Sequence, residues 1–130
     1  MKRLLFVLLA AVGINTSGCS QKKFVDMDVA AFEKLIGNKS VQVLDVRTAE
    51  EFAEGHLLRA VNVDVLASGF GGKATELLDK KRPVAIYCRS GRRSTNAAKI
   101  LTKSGYRVTN LRGGILAWQG ARKPVVTAER

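Results

Sequence analysis

Cysteine, proline, histidine and aromatic residues are all scarce in this chain of 130 residues, which has two Cys, two Pro, one His and 6% aromatic positions. Two cysteines cannot build a disulfide-stapled scaffold. One His, with cysteines far apart at positions 19 and 88, excludes the usual Cys/His zinc clusters. No internal repeat, long linker or low-complexity tract interrupts the sequence. Acidic residues are the minority charge: 11 Asp+Glu face 22 Lys+Arg, a formal net charge of +11. What the chain does have is apolar residues. At 46% hydrophobic it can pack a core, and its length suits one domain.

The first residues give the charge a context. Met1-Lys2-Arg3 is positive, and Leu4 to Ile14 is almost wholly apolar. That run is shorter than the roughly 20 residues a spanning helix needs, and it reads as an export signal. Thr16-Ser17-Gly18-Cys19 resembles a bacterial lipobox, in which the residue after the cut is a lipidated Cys. Ser17 and Gly18 fit that pattern, whereas Thr16 stands where an aliphatic residue is usual. No A-x-A precedes an alternative cut. The expected organisation is a lipoprotein signal over 1–18, a tether over 19–23 that begins at lipidated Cys19, and a folded domain over 24–125. Ser20 fits sorting to the outer membrane, so the chain is expected to be exported and anchored in the envelope, facing the periplasm. Removing 18 residues leaves 130 − 18 = 112 with a charge of 20 − 11 = +9. In that compartment the charge serves anionic small molecules or lipid surfaces rather than nucleic acid. Cys88 is then the one thiol left, without a partner for an internal disulfide.

From Phe24 onward, short apolar runs alternate with helical patterns. Val41–Val46, Val84–Tyr87 and Val108–Leu111 read as buried strands, Ala60–Val63 as a shorter one, and Phe24-Val25 as an edge strand. Asp28 caps a predicted helix that runs to Ile36, with Gly37 after it. Thr48 and Glu51 form a capping box for a helix ending near Gly55. Further helices are predicted over Lys73–Lys80, stopped by Pro83, over Ser94–Lys103, and from Gly113-Gly114 through Trp118. Strand–helix alternation implies an α/β fold with a parallel sheet covered on both faces, and ligands then sit beyond the carboxyl ends of the strands.

Cys88 falls at such an end. The segment Cys88-Arg89-Ser90-Gly91-Arg92-Arg93-Ser94 leads from a strand into a helix. Loop amides, the free N–H groups of a helix start and three arginines would stabilise negative charge on the sulfur. Gly91 allows a tight backbone turn around it. Cys88 is therefore the candidate nucleophile. Arg89 and Arg92 are candidate captors of an anionic substrate, Arg93 braces the loop or touches substrate, and Ser90 and Ser94 are candidate donors, Ser94 equally a helix cap. The single His lies 32 positions upstream of Cys88, which gives little support to a Cys–His pair.

Three groups of residues resemble the rhodanese family. Asp45-Val46-Arg47, Glu51-Phe52, Gly55-His56-Leu57 and Ala60-Val61-Asn62 are similar to its first signature. Tyr87-Cys88-Arg89-Ser90-Gly91 with Arg93-Ser94 is similar to its active-site loop, and Leu111-Arg112-Gly113-Gly114 with Ala117-Trp118 to its closing motif. The match runs from about Phe24 to Pro124. Arg59 departs from it, standing where the family usually has Gly. The resemblance implies a central parallel five-stranded sheet flanked by helices on both faces, and sulfurtransferase activity without metal or organic cofactor. It implies that Cys88 takes the outer sulfur of a small anionic donor such as thiosulfate and passes it, as a persulfide, to cyanide or a thiol. Related phosphatases and arsenate reductases use a seven-residue loop. Cys88 to Arg93 is six residues, which favours sulfur over a tetrahedral oxyanion. A non-catalytic binding module is the other alternative, and it has no need of a reactive thiol.

Other features have simpler readings. Asp45 and Arg47 look structural, with Arg47 expected to pair with Glu51. His56 reads as a satisfied turn residue and Trp118 as core or pocket rim. Gly69-Phe70-Gly71-Gly72-Lys73 lacks the Ser/Thr and first Gly of a nucleotide loop and reads as a flexible loop before a helix. Lys80-Lys81-Arg82 reads as a solvated helix end.

Overall fold

The structure is a computed structural model that describes residues 23–127; the expected signal over 1–18 and the Cys19 expected to be lipidated lie outside the described residues. The described elements are β1 (Val25–Met27), α1 (Val29–Ile36), β2 (Gln42–Asp45), α2 (Ala49–Glu54), β3 (Val61–Asn62), α3 (Phe70–Leu77), β4 (Val84–Tyr87), α4 (Arg92–Lys103), β5 (Val108–Leu111) and α5 (Gly114–Gly120). The strands form one five-stranded sheet in the order β1-β5-β4-β2-β3. Every pairing is parallel. β4 is central and all four of its residues are buried, as continuous apolar runs in a two-sided parallel sheet must be.

Period-two alternation divides the core between the two faces. Leu44, Val84, Ile86 and Val108 point to one side and pack against Ala97, Ala98 and Leu101 of α4 and Phe70 and Ala74 of α3. Val43, Ala85, Tyr87 and Leu111 point to the other and meet Phe32 of α1 and Ile115 and Trp118 of α5. Phe32 and Trp118 pack edge to face at 6.4 Å. Both faces are thus covered, as expected, and β1 is indeed an edge strand.

Local signals placed several element ends. The Asp28 side chain accepts from the Ala31 N–H and starts α1. Thr48 and Glu51 form the reciprocal capping box of α2. Two expectations are corrected. α3 begins at Phe70, not Lys73, so Gly71 and Gly72 lie in its first turn rather than in a flexible loop. Phe70 is 5% exposed, and burying its ring draws the glycine segment onto the sheet. α3 also ends at Leu77, so Lys80-Lys81-Arg82 lies in the loop entering β4 and not at a helix end.

Candidate active site

The site follows from how β4 ends. Cys88 is the residue after the strand, 1% exposed, with its side chain on the α3/α4 face. The chain then turns through Arg89 and Ser90 to Gly91, whose φ of 114° is left-handed and suits glycine. That turn aims the Gly91 N–H back at the thiol: it donates to Cys88 Sγ at 3.0 Å. Gly91 is also the N-cap of α4, which has no side-chain cap. The free N–H groups and positive dipole end of a twelve-residue helix therefore face the loop.

α4 begins at Arg92, two residues before the expected start, which removes Ser94 from the capping position. Ser94 is fully buried and its Oγ donates to the Gly91 carbonyl at 3.2 Å. Thr95, which the sequence did not single out, donates to the same carbonyl at 2.8 Å. Both hydroxyls hold the turn that carries the amide on the sulfur. The signal for Thr95 is its position four residues after Gly91, one helical turn on.

Arg93 forms a two-pronged ion pair with Glu51, Nη1 to Oε1 at 2.8 Å and Nη2 to Oε2 at 2.9 Å. Glu51 Oε1 also accepts from the Thr48 N–H, so the capping box of α2 is tied directly to the first turn of α4. The hydrogen bond from Arg93 is the main reason the Glu51 carboxyl is lowered to about 2. The same bond chiefly raises Arg93, and negative charge at Cys88 adds to it, which places this guanidinium within electrostatic range of the sulfur.

The expected Arg47–Glu51 pair does not form. Arg47 instead meets Asp45, Nη2 to Oδ2 at 2.6 Å, and donates to the Gly55 carbonyl at 2.7 Å. Asp45 is fully buried at the end of β2, and a buried carboxylate needs a cation more than the partly exposed Glu51 does. Burial works against the Arg47 charge, but the hydrogen bond and charge of Asp45 outweigh it and raise its pKa. The Tyr87 hydroxyl donates to Asp45 Oδ2 at 2.6 Å and accepts from the Leu57 N–H at 3.1 Å. Burial, then the Asp45 charge, pushes the Tyr87 phenol far up. This network fixes the residue immediately before Cys88.

The chain after β5 closes the site from the other side. Ile115 N–H donates to the Cys88 carbonyl at 2.9 Å and Leu116 N–H to the Arg89 carbonyl at 3.1 Å. Such close docking requires Gly114: a Cβ there would stand 2.3 Å from the Arg89 oxygen and 2.6 Å from the Cys88 oxygen. Arg89, Ser90 and Arg92 are exposed around the mouth, and so is Arg112 at the end of neighbouring β5. A cleft of about 440 Å³ near the end of β3 is lined by Asn62, Asp64, Phe70 and Lys73 among others, but not by Cys88. His56 is satisfied in its turn, with Nδ1 2.7 Å from the Phe52 carbonyl, and Trp118 is core, its Nε1 donating to the Pro124 carbonyl at 2.9 Å. Among the described residues no cluster of three His, Cys, Asp or Glu could hold a metal ion.

This arrangement can hold a sulfur atom, and an anion attached to it, against a backbone amide, a helix end and a ring of arginines. Residues 28–121 match the profile of a family described as Rhodanese-like domain. A sulfurtransferase of Allochromatium vinosum is 39% identical over 98 residues, covering 75% of this chain and 89% of that protein. Thiosulfate sulfurtransferase 18 of Arabidopsis thaliana is 32% identical over 126 residues, covering 88% of this chain and 92% of that one. The crystal structure of a rhodanese-related protein from Thermoplasma volcanium superposes with a TM-score of 0.72 at 27% identity, covering 81% of this chain and all of that one.

Proposed function

This chain belongs to the rhodanese-like domain family, and we propose that it is a sulfurtransferase working through a persulfide on Cys88. The Cys88 sulfur attacks the outer sulfur of a donor such as thiosulfate. The donor's S–S bond breaks and sulfite leaves with the electron pair. An acceptor nucleophile, cyanide or a thiolate, then takes the outer sulfur and restores the Cys88 thiolate. The cycle is covalent and two-step, with ping-pong character.

One observation carries this reading: the Gly91 N–H donates to Cys88 Sγ at 3.0 Å, in a loop whose rim is cationic. An amide already aimed at the sulfur stabilises negative charge there in both the thiolate and the persulfide. The exposed Arg89 and Arg92 would attract an anionic donor, and the relative named for thiosulfate supports that donor class. Arg93 is committed to Glu51 and acts on the loop's shape.

Export and anchoring through lipid on Cys19 belong to the same proposal, and the apolar run Leu4 to Ile14 and the lipobox-like Thr16-Ser17-Gly18 support them. Intact mass of the chain isolated from cells tests both parts. Acyl groups on Cys19 and loss of residues 1–18 are expected. Incubation with thiosulfate should add one sulfur atom, which cyanide removes, and Cys88→Ser should gain none. Sulfur gain in the Cys88→Ser variant would refute the mechanism, and an unacylated Cys19 would refute the anchor.

A further inference from the structure

All five strands run parallel, so every loop that enters a strand lies on one end of the sheet, opposite the Cys88 loop. The loops entering β2 through β5 carry six cations among the described residues. Lys39 precedes β2, Arg59 precedes β3, Lys80, Lys81 and Arg82 precede β4, and Arg107 precedes β5, with Lys103 at the end of α4 just before that loop. In the loops entering β2 through β5, the described residues include one carboxylate, Asp79, and Glu54 closes α2 just before the loop entering β3.

These loops form one surface. Arg82 Nε donates to the Ser40 carbonyl at 2.9 Å and its Nη2 to the Lys39 carbonyl at 3.3 Å. Arg107 Nη2 donates to the Lys81 carbonyl at 3.0 Å. The Lys80 ammonium stands 5.7 Å from the centroid of the Tyr106 ring. Arg59, in the loop entering β3, reaches across to the carbonyls of Ile36 and Val41. Next to Arg59 in the chain, Leu58 is 67% exposed, an apolar side chain in the same loop.

We propose that this end of the sheet is a docking surface for anionic lipid headgroups, which holds the domain on its bilayer with the Cys88 mouth turned to the aqueous side. The inference rests on the anchored reading above, and the length of chain outside the described residues supports it. Lys23 enters β1 at this same end. Four residue steps separate it from Cys19 and reach about 14 Å at full extension. An anchor at Cys19 would hold this end of the sheet close to the bilayer surface, near the range of about 8 Å over which charge acts at physiological salt. Lysine and arginine attract anionic headgroups, and an exposed Leu among them can enter the interface. A nucleic-acid surface would offer rings to stack on bases. Here Phe24 and Tyr106 are both buried.

The test is amide hydrogen exchange on the full chain reconstituted in vesicles of phosphatidylcholine, with and without phosphatidylglycerol. Exchange over 38–41, 57–60, 79–82 and 103–107 should slow at least about threefold in the anionic vesicles alone, while 88–94 stays open. The triple variant Lys39→Gln, Lys81→Gln, Lys103→Gln should lose that difference and keep its sulfur-transfer rate. Equal exchange in the two vesicles, protection centred on 88–94, or tighter binding to single-stranded RNA than to anionic vesicles would each overturn the proposal. A chain that floats with anionic but not neutral vesicles would support the docking surface and refute the Cys19 anchor.

Discussion

Two positions with left-handed backbone matter at opposite ends of the sheet, Gly114 at the Cys88 loop and Arg59 in the loop entering β3. Gly114 has φ of 63° and lies under the carbonyls of Cys88 and Arg89. In the sequence it reads as the opening of a short helix and as part of the closing motif, but neither shows why glycine is needed, because the requirement for empty space comes from residues about 25 positions away. Gly114→Ala should therefore destabilise the domain by about 2–4 kcal/mol and lower sulfur transfer with it. Urea unfolding midpoints, read beside the transfer rate, check this; an unchanged midpoint would mean that α5 can back away at little cost. Arg59 is the converse case. Its φ of 71° is left-handed, at the position where the resemblance expects Gly. The long side chain reaches the carbonyls of Ile36 and Val41, so the residue that strains the turn also pins it to neighbouring loops.

At the scale of elements, the salient link is between α2 and α4. Glu51 closes its own helix start through Thr48 and grips Arg93 on another. The pair is partly exposed, so it contributes about 1 kcal/mol rather than the value a buried pair would give. The sign of its pH dependence follows from Glu51, lowered from 4.5 to about 2. Folding favours the charged form, so the contribution is complete above pH 4.5 and fades as pH falls toward 2. Glu51→Gln should be less stable by about 1 kcal/mol at neutral pH, with the difference shrinking through that window. Urea midpoints taken stepwise down in pH would show it, and a pH-independent gap would show that the carboxylate charge is not what matters. The capping box itself was legible, since it depends on residues three apart. Its second partner was not, and the expected Arg47 lost to Arg93 because buried Asp45 claims Arg47 first.

Across the whole molecule, the Asp45–Tyr87–Arg47 network joins β2, β4, the turn after α2 and the loop before β3. Its position one residue before the nucleophile makes the strand end rigid where the loop begins. Tyr87→Phe keeps the ring in the core but leaves the buried Leu57 N–H and an Asp45 oxygen each short of a partner. A cost of about 2–3 kcal/mol is expected, read as a lowered thermal midpoint, with persulfide formation slowed. A variant as stable as the parent would show that water replaces the hydroxyl.

The sequence alone determined what depends on short-range pattern and composition. Apolar runs placed β4 and β5 at their observed bounds and the rest of the sheet to within a residue or two, because burial on two faces demands continuous apolar strands. It also placed Cys88 at a strand end ahead of a glycine turn. Tertiary structure decided what depends on distant partners. Phe70 found a hydrophobic pocket and drew α3 three residues forward. Arg93 found Glu51, α5 descended onto the loop through Gly114, and parallel strand order gathered separate lysines and arginines onto one end of the sheet. Such choices turn on which groups meet across the fold and which buried charges must be paired first, and a linear pattern carries neither.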